Sequence, residues 1–172
     1  IIKGARQVGK SHAVRTFARD LSGIDNFVEL NLEQHESYRT FFKGDLDPQD
    51  IIEGIQLATG TNLKKPNSLL FIDEIQQEPR AITALRYFFE QYPQLPVIAA
   101  GSLIDFVLED IGFPVGRIEE MTLHPFSFCE FLEALGKKHL AEFIWTHDLS
   151  KSVLEPVHNE ILLLLKRYFC IG

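Results

Sequence analysis

The apolar positions of this chain alternate between two spacings. Short apolar runs at 27–32, 69–72 and 97–100 read as strands, and between them apolar residues recur every three or four positions. That alternation predicts an α/β domain with a mainly parallel sheet, because parallel neighbours need a crossover, usually helical, between them. A strand stub, Ile1-Ile2, precedes a glycine-bounded turn. Val14, Phe17, Ala18 and Leu21 then mark one helical face, with Gly23 placed to end it. The stretch 33–48 is polar and aromatic without period and reads as irregular. Ile51, Ile52 and Ile55 begin a helix that Gly60 closes.

Leu69-Leu70-Phe71-Ile72 has no polar break, as expected of a strand buried on both faces. Pro79 suits the first turn of a helix, and Ile82, Leu85, Phe89 and Tyr92 follow as its apolar stripe. A short helix is expected around 103–108 and a fifth strand over 118–123. Ser127 with Glu130 three residues on forms a capping box that opens another helix. From Lys137 onward the pattern is helical, with a face through Val157, Ile161, Leu164 and Tyr168. These elements divide the chain into an α/β core, 1–135, and a helical extension, 136–172, that looks like the start of an incomplete lid or linker.

Composition narrows the class. The 172 residues are 45% hydrophobic and 24% charged, enough for a sizeable core and unlike a disordered chain. Lys plus Arg number 17 against 24 Asp plus Glu, so the net charge of −7 does not indicate direct nucleic-acid binding. The longest apolar run, 161–165, is far short of the roughly 20 residues that span a bilayer. No secretory signal is visible, and Cys129 and Cys170 cannot make a disulfide framework, so a reducing cytoplasm is expected. His124, Cys129, His139, His147 and His158 show no paired ligand spacing, and no zinc site is expected. The chain starts at Ile1 without an initiator Met and reads as a piece of something longer, opening inside strand one.

Two motifs carry chemistry. Gly4-Ala5-Arg6-Gln7-Val8-Gly9-Lys10-Ser11 fits G-x-x-x-x-G-K-[ST] at every fixed position. Glycines let the backbone curl until successive N–H groups surround phosphate oxygens. Lys10 would reach the β- and γ-phosphates, the Ser11 hydroxyl would join a Mg²⁺ shell, and His12 would add a backbone N–H. The second motif is Asp73-Glu74, directly after the buried strand. Ligands of an open α/β sheet sit at the carboxyl ends of its strands, which puts this pair beside the phosphate loop. Asp73 is the candidate to hold Mg²⁺ through oxygen, and Glu74 to polarise a water for attack on the γ-phosphate.

These motifs, with Ala99-Ala100-Gly101-Ser102, Gly116-Arg117 and Leu123-His124-Pro125-Phe126-Ser127-Phe128-Cys129-Glu130-Phe131, resemble the AAA+ superfamily of P-loop ATPases. The closer likeness is to prokaryotic members that carry a poorly characterised C-terminal domain. The resemblance implies a three-layer αβα sandwich with strand order 5-1-4-3-2. It also implies that Ser102 is a sensor hydrogen-bonded to the attacking water or the γ-phosphate, although a Ser here would equally serve as a helix N-cap. Arg117 corresponds to an arginine finger that acts in trans in a homo-oligomer, with a plain surface arginine as the alternative. The activity implied is binding and hydrolysis of Mg-ATP to drive a conformational change in a partner or attached domain; no client is named by the sequence. A slow nucleotide-loaded switch would carry the same motifs. A small-molecule phosphotransferase would need an acceptor pocket and an arginine-rich lid, and neither is visible.

Overall fold

A computed structural model describes residues 1–21, 23–102, 104 and 116–171. The helix expected around 103–108 falls, apart from Ile104, outside the described residues. Two compact units are present, 1–124 and 125–172. The first contains strands β1 (Ile2–Lys3), β2 (Asn26–Asn31), β3 (Ser68–Asp73), β4 (Val97–Gly101) and β5 (Met121–Thr122). Its helices are α1 (Lys10–Thr16), α2 (Pro48–Thr59) and α3 (Pro79–Gln91), with a π-helical turn at Phe17–Leu21 and 3-10 turns at Glu36–Phe42 and Ile75–Gln77.

All strand pairs are parallel, in the order β2-β3-β4-β1-β5, which is the 5-1-4-3-2 arrangement expected. Strand β3 is buried along its whole length and sorts its side chains by alternation. Leu70 and Ile72 join Val28, Leu30 and Ala99 in the larger core, which Ile51, Ile52 and Ile55 of α2 and Ile82, Leu85 and Phe88 of α3 complete. Phe71 points the other way, into a second cluster with Val14 of α1 and Ala100. The sheet is therefore covered on both faces, and truncating Phe71 to Ala would cost about 3–5 kcal/mol.

Helix ends follow the sequence closely. Asp47 caps α2 by accepting from the Gln49 N–H at 2.7 Å, Pro48 takes the first position, and Gly60 closes the helix at φ 72°. Glu78 and Pro79 open α3 in the same way. The apolar stripe of α3 differs from the expected one: Phe88 is buried while Phe89 is 56% exposed. Phe89 lies near the helix end, at a cavity it lines with Leu85, Pro96, Ile98 and Ile118. Val14 of α1 and Ala18 of the π-helical turn are buried, while Phe17 is exposed. The fifth strand is shorter than 118–123, because β1 offers it only two partners, Ile2 to Met121 and Lys3 to Thr122.

The second unit holds α4 (Phe128–Ala134), α5 (Lys138–Thr146) and α6 (Glu155–Ile171). The capping box is formed: Ser127 Oγ accepts from the Glu130 N–H at 3.2 Å, and Glu130 returns a bond to the Ser127 N–H at 2.7 Å. Leu132, Leu140, Ala141 and Leu164 make a small core, flanked by Val157 and Ile161. Helix is not continuous from Lys137. It breaks at 147–154, where the Asp148 carboxylate accepts from the Ser150 N–H and hydroxyl, a local bond that competes with helix. The compact units divide between His124 and Pro125, whereas the sequence reading drew its line after 135; α4 buries Leu132 in the second unit. Among the described residues no helix is long and apolar enough to cross a membrane.

Candidate functional site

The loop between β1 and α1 is shaped by two glycines. Gly4 sits at φ 152°, and a Cβ there would lie 2.1 Å from the Leu123 carbonyl oxygen, so no side chain fits. Gly9 takes φ 95° at the N-cap of α1, where its carbonyl accepts the Ala13 N–H at 2.9 Å. Lys10 follows, only 5% exposed, with its Nζ donating to the carbonyls of Gly4 at 3.0 Å and Ala5 at 2.7 Å. The ammonium thus lies along the curl of the loop. Arg6 reaches outward to Glu33 at 3.7 Å, and His12 is exposed at the start of α1.

Strand β3 delivers the acidic pair to the same end of the sheet. Ser11 Oγ donates to Asp73 Oδ2 at 2.8 Å, joining residues 62 positions apart. Asp73 is 3% exposed. Asn31 Nδ2 donates to its Oδ2 at 3.3 Å, and the Glu74 N–H to its Oδ1 at 3.1 Å. Burial pushes the Asp73 carboxyl above the ordinary carboxylate range; the Ser11 bond opposes this, and the Glu74 charge adds to it. Arg15, which also feels Asp73, is committed to Glu29 through bonds of 2.8 and 2.6 Å.

Glu74 adopts left-handed backbone, φ 52°, at the entry to the 3-10 turn. Its carboxylate accepts from Gln76 Nε2 at 2.6 Å, and the same amide nitrogen lies 3.5 Å from the Oγ of Ser102, which is buried just beyond β4. Ser11, Asp73, Glu74 and Ser102 are thereby linked at the carboxyl ends of β3 and β4, the last two through Gln76, and Lys10 adjoins Ser11 at the start of α1. Arg117 is not part of this cluster. It lies before β5, pairs with Glu90 of α3 at 2.5 Å, and lines the cavity at the opposite, amino ends of the strands.

Two participants, Asn31 and Gln76, have no role assigned to them by the sequence. Asn31 pairs with Asp73 in the β2–β3 register, so both strands end on a polar residue at one level. A polar residue closing an apolar strand was the available signal. Gln76 ends the segment Leu70-Phe71-Ile72-Asp73-Glu74-Ile75-Gln76 that supports the family resemblance, which gives it no role of its own. Chemically, the arrangement presents backbone amides and a lysine to an anion, hydroxyl and carboxylate oxygens to a hard cation, and a second carboxylate to a water.

A family model described as "AAA domain" matches residues 1–132. No curated protein matches the sequence. Among solved structures, the ORC1 protein of Aeropyrum pernix in complex with DNA aligns with a TM-score of 0.52 at 13% identity, over 80% of this chain and 42% of that one. The PCH-2 protein of C. elegans aligns at 0.47 and 18%, over 88% and 42%, and Drosophila ORC bound to DNA at 0.49 and 17%, over 99% and 51%. The chain therefore spans about half or less of the structures it resembles.

Proposed function

The chain belongs to the AAA domain family, and from that premise we propose that it binds ATP with Mg²⁺ and hydrolyses it to drive a conformational change in a partner or attached domain. The observation that carries this is the 2.8 Å bond from Ser11 to Asp73, which joins the phosphate loop to the acidic strand end. A buried carboxylate with a raised pKa beside a hydroxyl is a hard-oxygen donor set that suits Mg²⁺. Ser11 and Asp73 would hold the ion, Asp73 through its water shell. Bound there, Mg²⁺ would neutralise charge on the β- and γ-phosphate oxygens.

The residues divide the remaining work. Backbone amides of 4–12 cradle the phosphates, and Lys10 exchanges its loop carbonyls for phosphate oxygens. Glu74 accepts a proton as the water oxygen bonds to the γ-phosphorus and the bond to the β-phosphate oxygen breaks, leaving ADP and phosphate. Ser102 donates to the attacking water or the γ-phosphate. Arg117 lies at the far end of its own strands, a position that favours action on a neighbouring subunit's site over action in cis. The DNA solved with the Aeropyrum protein is not carried over to this chain, whose net charge is −7.

The test pairs binding with turnover in the intact protein. Glu74→Gln is expected to bind ATP as wild type does while phosphate release falls about 1000-fold, and Lys10→Ala to bind about 100-fold more weakly. Unchanged phosphate release in both variants would remove this site from the reaction. Tight binding by wild type without turnover would make the protein a nucleotide-loaded switch instead. Mixing Arg117→Ala with Glu74→Gln subunits is expected to restore part of the activity each lacks alone.

A further inference from the structure

We propose that Gln76 is a positioning residue for ATP hydrolysis, holding the Glu74 carboxylate and tying it to Ser102. The inference rests on the reading of Glu74 as the water-activating base. Its ground is the geometry after β3. The left-handed Glu74 turns the chain into a 3-10 turn closed by the Gln77 N–H on the Glu74 carbonyl at 3.0 Å and the Glu78 N–H on the Ile75 carbonyl at 3.1 Å. Ile75, fully buried, anchors that turn in the core. The side chains of residues 74 and 76 then meet, and the amide of Gln76 donates to Glu74 Oε2 at 2.6 Å, a short, charge-assisted bond. The same nitrogen faces Ser102 Oγ at 3.5 Å.

The other half of the amide shows what this contact costs. Gln76 Oε1 is buried with no hydrogen-bond partner, the one such side-chain atom among the described residues. It rests against Gly101, where a Cβ would stand 2.2 Å from it. Turning the amide over would set its oxygen against the Glu74 carboxylate, so the donor faces the acid and the acceptor goes unsatisfied. A side chain serving stability alone would be better as a leucine here. The amide is retained, on this reading, because its nitrogen fixes one rotamer of Glu74 and joins the ends of β3 and β4. Gly101 belongs to the same device, since any larger residue there would displace the amide.

The experiment measures ATP affinity, steady-state phosphate release and thermal midpoint for Gln76→Leu, Gln76→Glu, Glu74→Gln and the Glu74→Gln/Gln76→Leu double variant. Gln76→Leu is expected to lose about 10- to 100-fold in kcat with ATP affinity within about twofold of wild type. Its thermal midpoint is expected to stay level or rise, because the orphaned oxygen is gone. Gln76→Glu, of the same shape but without the donor, is expected to lose kcat as well. The double variant is expected to match Glu74→Gln alone, because a residue acting through Glu74 has nothing left to position. Wild-type kcat in both Gln76 variants, or losses that multiply in the double variant, would overturn the proposal while leaving Glu74 as the base. Unimpaired turnover in Glu74→Gln would overturn both readings together. Should Gln76→Leu fail to fold, Gln76→Glu and its combination with Glu74→Gln decide by the same criteria.

Discussion

Asp73 and Glu90 are both carboxylates held by several donors, and their surroundings drive them in opposite directions. Asp73 is buried and bonded to neutral groups, the Ser11 hydroxyl, the Asn31 amide and the Glu74 N–H, and burial raises its pKa. Glu90 is exposed and bonded to two guanidinium groups, Arg86 at 3.0 Å and Arg117 at 2.5 Å, and these lower its pKa. One charge is desolvated without a committed counter-ion; the other is already matched. The first is the kind of group that marks a candidate site, whereas the second is ordinary surface electrostatics.

Substitutions at matched positions would break or sharpen this contrast. The largest effect is expected at the backbone. Gly4→Ala would push a Cβ into the Leu123 carbonyl and destabilise the fold by about 3–4 kcal/mol, read by denaturant unfolding. Gly116, beside Arg117, has φ 78° with open space around it, so Gly116→Ala should cost only about 1–2 kcal/mol. Equal losses would mean the two regions are built to the same tolerance. Next, Asp73→Ala is expected to weaken Mg²⁺-dependent ATP affinity about 100-fold and Glu90→Gln to leave it within about twofold, by titration calorimetry. Comparable losses in both would end the comparison.

Titration with pH gives a smaller, signed difference. The folded pKa of Asp73 lies above its ordinary 3.8, so this group favours the nucleotide-free fold most below that value and loses the contribution as pH rises through the folded pKa. Mg²⁺ affinity should run the other way, falling up to about tenfold per unit as pH drops through that raised pKa, because the ion competes with a proton. Glu90, with its pKa below 4.5, contributes stability above that value and loses it as pH falls through the folded pKa. A Mg²⁺ affinity flat with pH down to 3.8 would contradict the reading of Asp73. Smallest of all, Arg117→Ala should move the thermal midpoint by no more than about 2 °C.

Much of the first unit was legible because its rules are local. Unbroken apolar strands, the first-turn Pro79 of α3, and Gly60 behind α2 each act over a few residues. The glycine-bounded turn after β1 was legible for the same reason, since Gly4 and Gly9 both take positive φ. What escaped depended on partners distant in sequence. Phe89 satisfies the helical period yet stays exposed, because burial there is decided by what packs against the helix end. The fifth strand was expected over six positions, 118–123, but only Met121 and Thr122 have β1 residues to pair with. Asn31 and Gln76 are polar residues of no marked spacing, and their importance appears only once β2, β3 and β4 bring them to one edge.

Lys10 gives the loop a shape before any nucleotide arrives. Its ammonium spans the carbonyls of Gly4 and Ala5 and, under the proposed function, would stand in for the anion it is to meet. Binding would then be an exchange of those two carbonyls for phosphate oxygens, with part of the entropy of ordering the loop already spent in folding. Affinity would be moderated by the two bonds surrendered, and release of product eased by the same two bonds re-forming. A loop with an internal understudy can empty and refill without losing its form.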